Sequence, residues 1–342
     1  MSKRVLVAMS GGVDSSITAK LLQEEGYQVE GAYMKLHGLE ANHRESIRKV
    51  DKVAAHLGIP YHVLDRQQQF QELVYQPFID IYRQGQTPNP CTFCNRTIKF
   101  GELLDFAHSL GCHYLATGHY IQCDGQFFYQ AEDNSKDQSY FLFNVPRQNL
   151  LFLLFPLAQR LKSDVKAMAA SIPPLQELAS QAESNEICFV EDSYLDVLRQ
   201  HLDGVDRPGD VVDETGKVVG RHRGYMHYTI GQRKGFDVPL SHTPLYVKQI
   251  DPQYNRIVVA TKEAITCSTF TLRDVNLFFD PPAEGFDCQV KVRYRHAKVP
   301  AHITVQGTGA TVQLQEPEKA IAPGQAAVFY DDRRLLGGGY IC

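Results

Sequence analysis

No stretch of this 342-residue chain is long and apolar enough to suggest a membrane span. Its greasiest run, NLLFLLFPLA, is interrupted by Pro156 and falls far short of the roughly 20 residues a membrane helix needs. A secretory leader is not expected either: MSKRVLVAMS has a basic start, but its apolar run is brief and leads straight into a glycine-rich turn. A cytoplasmic protein with no membrane partner is therefore expected. Excess positive charge is also missing. Thirty-five Lys and Arg stand against 39 Asp and Glu, a net charge of −4 that excludes a wholly basic nucleic-acid binder. Two local basic stretches remain, RHRGYMHYTIGQRKGF (221–236) and KVRYRHAK (291–298). The chain has no internal repeat and no low-complexity tract.

With 43% hydrophobic residues, the chain can bury a substantial core, and its length suits two or three domains. In the first half, strand-like RVLVAM, YQVEGAYM, YHVLD and CHYLATGHY alternate with helix-like segments. One helix is expected from Ser15 to Glu25. A second carries Ile47, Val50, Val53, Ala54 and Leu57, with Asn42 and Glu45 as a capping box and Gly58 as its stop. A third carries Leu103, Leu104, Ala107 and Leu110. Such alternation predicts an α/β fold whose parallel sheet is covered on both faces. From Gly204 the pattern changes to hairpins in GDVVDETGKVVGRH and PLYVKQIDPQYNRIVVATKE, and after Cys267 most segments read as strands. In CQVKVRYRH, Cys288, Val290, Val292 and Tyr294 alternate with Gln289, Lys291, Arg293 and Arg295, one apolar face against one basic face. The expected organisation is a parallel-sheet catalytic domain (1–203), a small β-rich central domain (204–264) and a C-terminal β-barrel (265–342).

SGGVDSS follows a buried-looking strand and opens a helix, so backbone N–H groups and the helix dipole can hold an anion there. Gly11 and Gly12 allow close approach of phosphate, and Ser10, Ser15 and Ser16 supply hydroxyls. The loop lacks the lysine of a Walker A motif and the G-x-G-x-x-G spacing of dinucleotide folds. It fits the pyrophosphatase (PP) loop of ATP-pyrophosphatases, which cleave ATP between the α and β phosphates. Asp14 is the natural holder of Mg²⁺. In such sheets ligands lie beyond the carboxyl ends of the strands, so Met34, Gly118 and His119 should share one rim with the loop.

Eight cysteines without a secretory context argue against a disulfide scaffold. Cys91 and Cys94, in TPNPCTFCNRTIKF, form the one C-x-x-C, and there is no second pair to close a zinc site. Arg96 and Lys99 lie near Cys94 and are expected to favour its thiolate. Cys188, in AESNEICFVED, is the other cysteine in a suggestive context.

Taken together, SGGVDSS, TPNPCTFCNRTIKF, ATGHY, NSKDQSYFL, ESNEICF, HYTIGQRKGF, VRYR and APGQAAVFYD with LGGGYI resemble the tRNA 2-thiouridylase (MnmA/TrmU) family, in the family's order and across nearly the whole chain. The resemblance implies ATP-dependent 2-thiolation of the wobble uridine of tRNA. ATP adenylates the uridine C2 oxygen, a Cys188 persulfide delivers sulfur, and Cys94 ends in a disulfide with Cys188. It implies ATP contacts from Ala8, Met9, Ser10, Gly11, Gly12, Val13, Asp14, Ser15, Met34 and Gly118. Asn89, Pro90 and Cys91 would surround the target base, and His119, Lys136, Asp137, Gln138, Arg293, Tyr294 and Gln325 would contact tRNA, Arg293 through phosphate. The implied partners are tRNA and a sulfur-donor protein, such as a cysteine desulfurase or a sulfur relay protein. Many members carry Asp where this chain has Cys91, and the segment after Met34, KLHGLEANHRES, is shorter and less acidic than usual. Two alternatives stand beside this reading: an Fe–S cluster on Cys91, Cys94 and Cys188, and a PP-loop ligase or amidase acting on a small molecule.

Overall fold

The structure is a computed structural model, and the residues described are 2–179, 187–239 and 243–342. The chain forms two compact units that interleave in sequence. One comprises Met1–Val74, Cys91–Phe189 and Asp331–Leu336, the other Tyr75–Pro90, Val190–Tyr330 and Gly337–Cys342. None of the helices among the described residues is long and apolar enough to cross a membrane.

The first unit is built on a five-stranded parallel sheet. Its strands are β1 (Arg4–Ala8), β2 (Gln28–Lys35), β3 (Tyr61–Asp65), β4 (Tyr114–Ala116) and the short Leu153–Leu154, in the order β3-β2-β1-β4 and then Leu153–Leu154. Val5, Leu6 and Val7 of β1 are completely buried, as a central strand covered on both faces requires. Helix α1 (Val13–Glu24) packs Ile17, Leu21 and Leu22 into a core shared with Val50, Val53 and Ala54 of helix α2 (Glu40–Leu57). Each such side chain contributes on the order of 1.5–3 kcal/mol by leaving water. Gly58 ends α2 in the left-handed conformation with φ 65°, as expected.

The N-terminus of α2 differs from expectation. The helix starts at Glu40, so Asn42 and Glu45 lie inside it, and the cap residue Leu39 has no side-chain cap bond. The Glu45 carboxylate pairs with Arg48 at 3.0 Å instead. The early start is tied to His43, which is buried, shares a hydrogen bond with Tyr33 Oη at 2.7 Å and stacks on the His37 ring. An antiparallel pair, Ile121–Cys123 with Phe128–Gln130, completes the unit, and Arg334 and Leu335 pair with Tyr129 and Phe128.

The second unit contains a four-stranded sheet formed by the two expected hairpins, Gly209–Val212 with Val218–His222 and Tyr246–Asp251 with Arg256–Ala260. They join through a parallel pairing of Arg256–Val258 with Asp210–Val212. It also contains the expected barrel. Thr266–Leu277, Gly309–Lys319, Val299–Gln306, Phe286–Lys291, Ala326–Asp331 and residues 337–341 follow one another, and Thr266–Leu277 closes on residues 337–341. The strand expected through CQVKVRYRH stops at Lys291, and residues 292–296 turn, so Arg293 does not share a strand face with Lys291.

Candidate active site

In the first unit the strand order reverses between β1 and β4, and ligands of open α/β sheets bind at that point beyond the carboxyl ends. The Ser10–Ser15 loop leaves β1 there. Gly11 has φ 78°, and a β-carbon on it would meet the Ser46 carbonyl at 2.8 Å, so glycine is required for both conformation and space. Gly12 caps α1 without a side-chain bond, which leaves the first-turn N–H groups pointing into the loop. The hydroxyls of Ser15 and Ser16 donate to the Gly12 carbonyl at 3.1 and 2.9 Å, and the Ser10 N–H donates to Ser15 Oγ at 3.2 Å. Gly118, just past β4, packs so closely that a β-carbon on it would lie 2.9 Å from the Asp14 backbone. Met34 lies near the carboxyl end of β2. The loop, Gly118 and Met34 thus share the carboxyl-end rim of the sheet, and the loop forms a cradle of backbone N–H groups and hydroxyls.

The cradle also contains a residue that sequence reasoning missed. Lys162 Nζ donates to both Asp14 carboxylate oxygens at 2.7 Å, and Tyr120 Oη donates to one of them at 3.1 Å. Lys162 opens the helix Lys162–Ala170, whose buried Val165 and Ala169 join the core beneath α1. The Asp133 carboxylate accepts from Lys162 N–H at 3.0 Å and so holds the start of that helix. Only spatial proximity links Lys162 to the loop, 148 residues away. Helix α2 also runs against the loop, the Lys49 β-carbon 3.3 Å from the position a Gly11 side chain would take, while Lys49 Nζ pairs with Glu45 at 3.7 Å.

Cys94 ends the helical turn Pro90–Cys94, and the helix continues in the wider π geometry over Asn95–Glu102. The expectation of a ready thiolate at Cys94 does not hold. The side chain is buried, and burial pushes its thiol up to about 12, with Lys99 pulling down and Cys188 and Cys91 pushing up. Arg96 is committed elsewhere, donating to the backbone and side-chain oxygens of Asn144 at 3.0 and 2.9 Å. Cys91 and Cys188 are accessible. Surrounding protein still raises both thiols, Lys99 partly offsets this, and their mutual charge opposes double ionisation. Cys188 is thereby brought within electrostatic reach of Cys91 and Cys94. The Glu183–Glu186 part of its motif lies outside the described residues. None of the three thiols is bridged. Among the described residues no three His, Cys, Asp or Glu side chains gather closely enough to hold a metal ion.

Lys99 acts on all three thiols, so Lys99→Gln is expected to slow alkylation of exposed Cys188 at pH 8 by about two- to tenfold, with rescue by Lys99→Arg. Iodoacetamide kinetics with peptide mass readout measure this, and unchanged rates would remove Lys99 from the thiol electrostatics.

Comparison with known proteins bears on the whole chain. Residues 3–192 match the tRNA methyl transferase HUP domain, 196–261 the tRNA methyl transferase PRC-barrel domain and 267–341 the aminomethyltransferase β-barrel domain. The tRNA-specific 2-thiouridylases MnmA of a Nitratiruptor species and of Sulfurimonas denitrificans are 55% and 52% identical over 341 residues. The matches cover 100% of this chain and 100% and 99% of theirs. That of Campylobacter jejuni subsp. jejuni is 50% identical over 339 residues, 99% of each chain. The chain belongs to the MnmA family.

The remaining MnmA-like positions divide by environment. His119 follows β4, shares a 2.7 Å hydrogen bond with Thr117 Oγ1, and is held neutral by burial and then by the charge of Lys99. A neutral imidazole suits a base edge or hydroxyl better than a phosphate. Lys136 ends a turn on Asp133, its N–H donating to the Asp133 carbonyl at 3.0 Å. Asp137 is buried, its carboxylate accepting from Gln130, Ala131 N–H and both the N–H and hydroxyl of Ser139. Gln138 Oε1 accepts from Tyr120 N–H at 2.9 Å. Asp137 and Gln138 therefore shape the loop that carries Lys136.

In the second unit Gln325 Nε2 donates to the carbonyls of Thr87 and Pro88 at 3.0 and 3.1 Å, Thr87 N–H donates to the Pro323 carbonyl, and Thr87 Oγ1 donates to Thr229 Oγ1. This gathers the MnmA motifs TPNP, HYTIGQ and APGQ and fixes the backbone leading into buried Asn89 and Pro90. Arg293 Nη2 donates to the carbonyls of Ile230 and Ala320 at 2.7 and 2.9 Å. Neighbouring Tyr294 has Lys291 Nζ 5.9 Å from its ring centroid.

Proposed function

We propose that this protein is an ATP-dependent tRNA thiolase that places sulfur on C2 of the wobble uridine. The reading rests foremost on the coexistence, in one unit, of a phosphate cradle ringed by Asp14 and Lys162 and a group of three unbridged thiols. The relatives' shared description as tRNA-specific 2-thiouridylases supplies the substrate class. The C2 oxygen attacks the α-phosphorus of ATP and pyrophosphate leaves, which turns a poor leaving group into AMP. Sulfur carried as a persulfide on Cys188 then bonds to C2 as AMP departs. Cys94 attacks Cys188 Sγ, breaking the sulfur–sulfur bond and leaving a Cys94–Cys188 disulfide. A sulfur-donor protein reloads Cys188, and a thiol reductant resets the pair.

Asp14 would hold Mg²⁺, which neutralises phosphate charge when bound. One carboxylate completed by phosphate oxygens and water is a donor set this ion accepts. Lys162 would then find phosphate oxygens as alternative acceptors, at the pole of α1 where anions are favoured. Neutral His119 is assigned to the base, which must be unstacked for reaction at C2.

Incubation with unmodified tRNA, ATP, Mg²⁺ and a persulfide donor, followed by nucleoside analysis, is expected to yield 2-thiouridine. Confirmed tRNA binding without that product would overturn the reading. Stoichiometric iron and sulfide in anaerobically purified protein, required for turnover, would replace the persulfide route by a cluster.

The bonds made by Arg293 change its expected role. Its guanidinium locks the Ile230 turn and the Ala320 corner. Arg293→Ala is thus expected to cost roughly 1–3 kcal/mol of stability and to weaken tRNA binding with an unchanged salt slope. A slope shallower by about one phosphate contact would restore a direct role.

A further inference from the structure

The reaction above uses two of the three thiols and leaves Cys91 without a task. We propose that Cys91 is the resolving thiol. After sulfur delivery its thiolate attacks Cys94 Sγ, a Cys91–Cys94 bond forms, the Cys94–Cys188 bond breaks, and Cys188 leaves as a thiolate that takes up a proton. This inference rests on the persulfide reading.

Three observations carry it. Cys91 and Cys94 occupy the same helical turn at i and i+3. That spacing puts their α-carbons about 5 Å apart on one face, inside the range a disulfide bridges. Second, accessibility is graded: Cys94 is 6% exposed, whereas Cys91 and Cys188 are accessible. An external reductant cannot readily reach the Cys94 sulfur but can attack Cys91. Third, Cys188 interacts electrostatically with both Cys91 and Cys94, so the thiol that leaves lies within electrostatic range of the attacking and central sulfurs.

The electron balance is closed. Reducing the persulfide sulfur to the thiocarbonyl level takes two electrons from Cys94 and Cys188. The exchange moves that oxidation to Cys91 and Cys94, and an external dithiol attacking Cys91 Sγ returns the two electrons and restores both thiols. Cys188 is thereby released to accept its next sulfane sulfur while the oxidised pair still awaits reduction.

The test is one turnover without reductant, quenched in acid with N-ethylmaleimide and mapped by non-reducing peptide mass spectrometry. In the unmodified protein the Cys94–Cys188 disulfide is expected first, giving way to about one Cys91–Cys94 disulfide per 2-thiouridine with Cys188 alkylated. The conversion should quicken with rising pH as Cys91 ionises. In Cys91→Ser the Cys94–Cys188 disulfide should persist at about one per 2-thiouridine. Persistence of Cys94–Cys188 in the unmodified protein would overturn the proposal and leave the persulfide reading standing. Formation of 2-thiouridine with no oxidised cysteine in either protein would overturn both. The time course of the unmodified protein decides the matter alone if Cys91→Ser does not fold.

Discussion

Serine at Cys188 or at Cys94 is expected to reduce 2-thiouridine formation by ~10³-fold or more, because in the proposed route each removes a sulfur that forms or breaks a bond. Adenylation of tRNA, measured as AMP transfer or pyrophosphate release, should stay within about threefold, since the proposed phosphate site is built from residues 10–15, Gly118 and Lys162 and contains neither thiol. Cys188→Ser should also abolish persulfide loading from the donor, whereas Cys94→Ser should load and then stall with sulfur still on Cys188. Loss of adenylation in both variants would sink this division of labour. The pH dependence has a definite sign. Burial raises Cys94 to about 12, so only a small fraction is thiolate at neutral pH. The sulfur-transfer step should accelerate about tenfold per pH unit between pH 7 and 9 wherever Cys94 attack limits the rate.

Lys162→Ala is expected to lower tRNA-dependent pyrophosphate release by about 10²–10³-fold, the usual cost of removing a preorganised charge from a reacting phosphate. The same change takes away the ammonium that bonds both oxygens of Asp14. A fall in melting temperature would therefore accompany the loss, and the kinetics must be compared at a temperature where the variant is folded. Lys162→Arg keeps the charge and should recover a measurable part of the activity, whereas Lys162→Gln should not. If alanine at Lys162 lowers stability but leaves adenylation unchanged, the Asp14–Lys162 pair is a structural clasp and phosphate is held by the loop alone.

Much of the first unit was legible because local rules control it. A strand buried on both faces reads as RVLVA, a turn requiring positive φ reads as glycine at Gly11, and a helix ending in the left-handed region reads as Gly58. The barrel was legible from alternation, but its corner was not. CQVKVRYRH keeps its period past Lys291, yet the backbone turns because Arg293 gains two carbonyl acceptors inside the fold. The capping-box expectation at Asn42 failed for a related reason: packing of His43 against Tyr33 and His37 set the start of α2 earlier than local capping preference would.

The sequence by itself determined the glycine-rich loop after β1, the parallel sheet that carries it, the closed barrel and, through its ordered motifs, the family. These depend on backbone dihedrals, side-chain period and glycine, which act over a few residues. Tertiary structure alone decided which charges meet. It set Lys162 on Asp14, turned Gln325 onto Thr87 and Pro88, spent Arg96 on Asn144, and buried Cys94 so that desolvation outweighs the pull of Lys99. Hydrogen bonding and desolvation depend on distance through space and on excluded water, and neither is encoded by spacing along the chain.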